Sequence, residues 1–244
     1  MRRIAPAGQS WGPPPTTRAI LVAWVQVIGG IALASALAAV EPTGLLRANL
    51  AGVAALLFVL VPDRVLRARG EGWQGYGLPG PGKGDPGAWR AWARGAAWGV
   101  GASLVVLPLF GAAVAGYVRL RGIPVQFQPR LPPDFALGVA VQLLVVAIPE
   151  ELFYRGFMQT SWARGGPTRK LLGAPIGRGF LATQLLFAAG HLVSLQPRGL
   201  ATFFPGLLFG WLRARSGGIV APAVAHALSN LFLRFLEASF VPFR

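Results

Sequence analysis

The chain has 244 residues, 54% of them hydrophobic and 13% charged, with a formal net charge of +15 and a mean hydropathy of +0.54, more apolar side chain than one soluble core of this length can bury. A cytosolic enzyme, a disordered chain and a disulfide-stapled secreted domain are excluded, and the lack of cysteine removes thiolate metal sites and cysteine nucleophiles. The basic excess does not indicate nucleic acid, because the cations punctuate connections between apolar runs instead of gathering on one face.

Apolar runs lie near residues 18–40, 46–62, 95–118, 135–161, 177–196, 199–214 and 219–241. They predict an all-α, polytopic membrane helix bundle of about seven spans, six to eight at the limits. Continuous runs without period-2 alternation exclude barrel strands. Arg2, Arg3 and Arg18 precede the first run, and Arg64, Arg67, Arg69, Lys83, Arg90 and Arg94 occupy the 63–94 connection. With Arg164, Arg169, Lys170 and Arg178 after the fourth run and Arg213 and Arg215 after the sixth, these outnumber the cations of the opposite connections, Arg198 among them. The bias predicts a cytoplasmic N-terminus; a re-entrant sixth run would return the C-terminus to that side.

The first run, from Ala19 to Val40, is longer than a signal-peptide core and is read as an uncleaved helix. The Gly- and Pro-rich 63–94 connection is expected at the headgroup level, with Trp73, Tyr76, Trp89 and Trp92 as interfacial anchors. Gly29-Gly30 and the spaced Gly95, Gly99 and Gly101 suit close helix approach.

Chemistry concentrates in the ionisable residues that fall inside apolar runs, where each costs roughly 2.5–3.5 kcal/mol to insert. These are Glu150 and Glu151 of the fourth run, with Arg155 four residues on, and the two histidines of the chain, His191 and His226. Glu151 and Arg155 share a helix face at a spacing of four and can pair; Glu150 points about 100° away, free to act as a general base. Pro149 breaks the helix beside them. Phe187 and His191 are four apart, as are His226 and Asn230, which can present two hydrogen-bonding groups to one developing oxyanion. Any one of these features alone reads as helix-packing glue; together they indicate a shared site.

The ordered set Glu150-Glu151-x-x-x-Arg155, Phe187-x-x-x-His191 and His226-x-x-x-Asn230, with the Gly206–His226 lead into the last motif, resembles the CPBP family of intramembrane proteases, which includes the type II CAAX prenyl endopeptidase and bacterial Abi proteins. The resemblance covers about residues 135–232 and divides the chain into variable N-terminal helices with an interfacial loop (1–134) and a catalytic helix core (135–244). It implies an intramembrane endopeptidase in which Glu150 and His191 activate water, His226 and Asn230 stabilise the oxyanion, and Glu151, Arg155 and Phe187 support the site. Family members are named metalloproteases, and Glu150, His191 and His226 could supply a two-histidine, one-carboxylate zinc set. The chain lacks H-E-x-x-H, and a metal-free glutamate mechanism uses the same residues, so both forms remain open.

The implied partner is a membrane-embedded or membrane-anchored polypeptide substrate within the lipid bilayer. The Ala, Arg, Gly and Pro bias suggests a bacterial inner membrane, where C-terminal sorting-signal processing, as in myxosortase-type members, is an alternative to prenyl-CAAX processing. The competing reading is a non-catalytic membrane scaffold or bacteriocin-immunity protein of the same fold. A proton-relay transporter would be supported by inverted repeats, and none is visible.

Overall fold

A computed structural model describes residues 12–78, 87–164, 166–194 and 197–242. Arg2, Arg3, Lys83 and the Arg198 side chain, which entered the charge asymmetry, lie outside the described residues or side chains. Among the described residues each apolar run is helical over most of its length. In chain order the helices are α1 (Thr17–Val40), the short α2 (Leu45–Ala48), α3 (Leu50–Arg67) and α4 (Gly87–Leu120). After them come α5 (Phe135–Arg164), α6 (Arg178–Gly190), α7 (Phe203–Ser216) and α8 (Val220–Ser239). Three of these, α1, α4 and α5, are long and apolar enough to cross a membrane. At 1.5 Å per residue α6 and α7 rise only about 20 Å, short of a hydrocarbon layer of about 30 Å; 3₁₀ turns at His191–Ser194 and Pro197–Thr202 join them.

The bundle is apolar outside as well as inside. On α1, Ile20, Ala23 and Val27 are buried while Leu21, Val22, Val25 and Leu33 face outward, the all-round hydrophobicity expected of a helix in lipid. The core joins both parts of the chain, because Ile20 and Val27 of α1 and Phe58 of α3 share one cluster with Phe153, Tyr154, Phe157 and Phe187. The small-residue face of α4 (Gly95, Gly99, Ser103) is buried, and a Cβ at Gly99 would stand 2.6 Å from the Ala221 carbonyl of α8. Gly101, expected in the same role, faces open space.

Helix α5 is one rod with two widened stretches. Val141–Ala147 and Leu152–Gln159 form π-helical turns on either side of the Ile148–Glu151 α-turn, and the Ile148 N–H reaches back five residues to the Leu143 carbonyl. Pro149 explains the disturbance, since it brings no N–H and its ring crowds the carbonyl four residues back. Two small antiparallel ladders complete the fold. Strands β1 (Val125–Phe127) and β4 (Phe240–Pro242) tie the α4–α5 connection to the end of α8. Strands β2 (Thr168–Leu171) and β3 (Ala174–Gly177) form a hairpin turned by Leu172 and Gly173 at φ 47° and 77°.

The connection after α3 departs from the expectation of a surface loop. Trp89 and Trp92 are exposed as anticipated, at 64% and 41%, but Tyr76 is fully buried. Its hydroxyl donates to Glu71 (2.6 Å), and Arg164 at the end of α5 donates to both Glu71 and the Tyr76 oxygen at 2.8 Å. The Gly77 carbonyl accepts from the Ile219 N–H at 2.9 Å, so this segment docks between the end of α5 and the start of α8. Burial pushes the Glu71 carboxyl up, but the Tyr76 and Arg164 hydrogen bonds together outweigh it and hold Glu71 below the usual carboxylate range. Burial, followed by the bond to Glu71, pushes the Tyr76 hydroxyl up to about 12.

Because the folded Glu71 carboxyl is depressed, its contribution is fully present above the ordinary value of 4.5 and is lost as pH falls through the lower folded value. Glu71→Gln should cost about 1–3 kcal/mol at neutral pH and remove that part of the acid sensitivity. Melts in detergent at neutral and acid pH check it; a variant that loses stability on acidification as steeply as wild type would show the latch is not the source.

Candidate active site

The site is built on α5, α6, α7 and α8, and its centre is a buried ion pair. Glu151 and Arg155, one turn apart on α5, are both fully buried and pair at 3.0 Å through Glu151 Oε1, as their spacing predicts. The same oxygen accepts from His226 Nδ1 of α8 at 2.9 Å. Arg155 continues the network by donating to Gln184 Oε1 of α6 (2.9 Å) and to the Gly206 carbonyl of α7 (3.2 Å). The Glu151–Arg155 pair thus ties together four helices, and a buried charge is tolerable because it is paired and hydrogen-bonded.

Aromatic rings enclose this network. Phe187 of α6 lies under the guanidinium at 4.2 Å, a distance at which the ring face attracts the cation. The same ring stands between the two histidines, 4.7 Å from the His191 ring and 6.1 Å from the His226 ring. Phe209 of α7 stacks on His226 at 4.8 Å and 16°, fixing the plane of the imidazole. His191 Nδ1 faces the Phe187 carbonyl at 2.8 Å. A carbonyl only accepts, so Nδ1 carries the proton.

The two carboxylates differ in their surroundings. Glu151 is fully buried with Oε1 shared by Arg155 and His226, whereas Glu150 is half-buried; each keeps an Oε2 that is buried without a hydrogen-bond partner among the described residues. Asn230, one turn beyond His226, is half-buried and donates through Nδ2 to Gln142 Oε1 of α5 at 2.8 Å. The structure therefore brings Glu151, Arg155, His226 and Phe187 into one contact set with His191 against its edge, while Asn230 is held separately by Gln142.

The zinc set of Glu150, His191 and His226 does not converge. Among the described residues no three His, Asp or Glu side chains lie close enough to hold one ion, and His226 Nδ1 is committed to Glu151. The arrangement does not fit a preformed metal centre.

Several site residues escaped the sequence reading. Gln184 and Gln159 are buried polar residues that anchor Arg155 and the Gly210 carbonyl respectively. Arg213, counted above as a connection charge, is 7% exposed. It donates to the Arg155 carbonyl (3.2 Å) and to Thr160 Oγ1 (2.8 Å), and Thr160 Oγ1 donates to that carbonyl as well. The carbonyl loosened by the second widened stretch of α5 is satisfied by side chains in this way. The one available signal was the presence of amides within apolar runs.

Residues 132–232 match the family model described as type II CAAX prenyl endopeptidase Rce1-like. No curated protein and no solved structure matches the chain significantly.

The close approach of α7 to the network supplies a test. A Cβ at Gly206 would stand 2.6 Å from Gln184 Oε1, 3.0 Å from the Phe187 ring and 3.2 Å from the Arg155 guanidinium. Gly206→Ala should destabilise by about 1–3 kcal/mol, while Gly101→Ala in the open face of α4 should be neutral or gain up to about 1 kcal/mol. Thermal melts of both variants decide it; equal behaviour would mean α7 can retreat without cost.

Proposed function

Through residues 132–232 the chain belongs to the CAAX-type intramembrane endopeptidases of the CPBP family, and from that premise we propose that Glu150 is the general base of a glutamate-driven peptide hydrolysis housed in residues 135–244, with 1–134 as its membrane scaffold. The observation that carries the reading is the contrast between the two carboxylates: Glu151 is fully buried and ion-paired to Arg155 and His226, whereas Glu150 is half-buried and forms no ion pair among the described residues. A carboxylate that is to receive a proton from water must have a free oxygen within reach of it.

Water is held between Glu150 and the His191 imidazole. Glu150 takes one proton as the water oxygen bonds to the scissile carbonyl carbon, and the carbonyl oxygen becomes an oxyanion. Glu150 then returns the proton to the leaving nitrogen as the C–N bond breaks. His226 Nε2 and Asn230 Nδ2 are the oxyanion donors. With Nδ1–H directed at Glu151, His226 donates from Nε2 only as imidazolium, and this form balances the site. Glu150 and Glu151 against Arg155 and His226 sum to zero before attack. The oxyanion replaces the charge of the now neutral Glu150 afterwards, so no net charge is created in a low-dielectric site.

The substrate is a membrane-associated protein or peptide cut near one face of a bacterial cytoplasmic membrane in which the N-terminus of this chain is cytoplasmic. A prenylated C-terminus and a C-terminal sorting signal are the two candidates. Comparison of wild type and Glu150→Gln in the native host, reading membrane-protein termini by mass spectrometry, should show a defined set of processed ends disappearing and thereby identify the substrate. Unchanged termini with normal accumulation of the variant would refute the peptidase assignment.

A further inference from the structure

The seam between α5 and α8 is a three-rung polar ladder. Side chains four apart on α8 each reach a partner on α5 or at its start: His226 to Glu151 at 2.9 Å, Asn230 to Gln142 at 2.8 Å, and Arg234 to both oxygens of Asp134 at 2.8 Å. The outer rungs join a carboxylate to a basic side chain. The middle rung joins two neutral amides, and its α5 member, Gln142, lies outside all three motifs that carry the family resemblance.

We propose that Gln142 is a positioning residue that fixes the amide of Asn230 with its nitrogen, not its oxygen, available to the reacting carbonyl. A terminal amide rotates between two orientations of similar shape and opposite polarity. An oxyanion is stabilised by the N–H₂ end and repelled by the carbonyl end. With Gln142 held in its present orientation, its Oε1 accepts one N–H, so reversing Asn230 alone would set two oxygens against each other, and the second N–H of the same nitrogen is left to donate.

The local helix explains how Gln142 comes to be there. Eight residues of regular α-helix would leave Gln142 about 80° round from Glu150. One residue's worth of widening takes about 100° back, and the π turns at Val141–Ala147 lie between the two residues. The disturbance around Pro149 thus brings Gln142 to nearly the same bearing as the general base. The proposal rests on the endopeptidase reading for the role of Asn230 but on the hydrogen bond alone for the contact.

The test is a double-mutant cycle of Gln142→Met, Asn230→Ala and the pair, in purified protein reconstituted in detergent, on a peptide substrate taken from the termini that Glu150→Gln abolishes. Gln142→Met should lower kcat by about 10- to 100-fold, the range for residues that orient a functional group, with KM within about twofold. In the Asn230→Ala background it should cost nothing more. Gln142→Glu, which keeps an acceptor at the same position, should restore most of the loss. Unchanged kcat in Gln142→Met, or single effects that multiply in the pair, would overturn the proposal.

Melting the same four proteins gives a cycle that reads the contact without catalysis. Additive stabilities would overturn the proposal even if no peptide were cleaved. Cleavage that survives Glu150→Gln, by contrast, would refute Glu150 as the general base while a non-additive stability cycle still upheld the contact.

Discussion

The buried pairing of Glu151 with Arg155 is the constraint on which the rest of this molecule depends. Both groups are fully shielded, so every partner they have comes from inside the protein, and Glu151 Oε2 and Arg155 Nε are left without one among the described residues. Those partners decide where the other helices go. Gln184 sets the height of α6, the Gly206 carbonyl sets the approach of α7, and His226 sets the register of α8. Losing either charge would strand the other, a far larger penalty than the pair's net worth. In a medium where apolar contact with lipid is nearly as good as apolar contact with protein, such polar ties are what make one packing preferable to its neighbours.

A second consequence concerns division of labour between adjacent residues of one helix. Glu150 and Glu151 differ by a rotation of about 100°, and that rotation separates a fully buried, ion-paired carboxylate from a half-buried one with no ion-pair partner among the described residues. The pairing has two sources, the guanidinium from within α5 and the imidazole from α8. Phe187 and Phe209 exclude competing hydration, one under Arg155 and one against His226. The carboxylate that organises the fold and the one proposed as general base are therefore held in fixed relation by the backbone itself.

Much of this was legible in the sequence, for a physical reason. Ionisable groups inside apolar runs are costly and rare, so Glu150, Glu151, Arg155, His191 and His226 stand out, and the spacing of four between Glu151 and Arg155 predicts the pair that is found. Neutral amides cost less to insert and leave little mark on a hydropathy reading, which hid Gln142, Gln159 and Gln184. Arg213 looked like one more cation of a connection, and only the carbonyl that it serves shows otherwise. Tyr76 lay in a Gly- and Pro-rich stretch with three tryptophans, and its burial depends on Glu71 and Arg164, a contact no local pattern encodes. The hairpin at 168–177 was missed because its turn uses Leu172 at positive φ, where Asn or Gly is the usual signal. The span count was read from apolar length alone, while α6 and α7 end well before a full crossing.

The unequal helix lengths bear on the surrounding lipid. Helix α4, with 34 residues, is about 50 Å long, while α6 and α7 reach about 20 Å. Elements so different cannot all match one flat hydrocarbon slab. The mismatch relaxes by tilting the long helix and by drawing the leaflets together around the short ones. On the α6–α7 side the headgroup region is thereby brought toward the depth of Phe187 and His191, which lie near the end of α6. The hydration that a hydrolytic site needs, and the extended backbone of a chain emerging from the bilayer, would both arrive from this thinned flank.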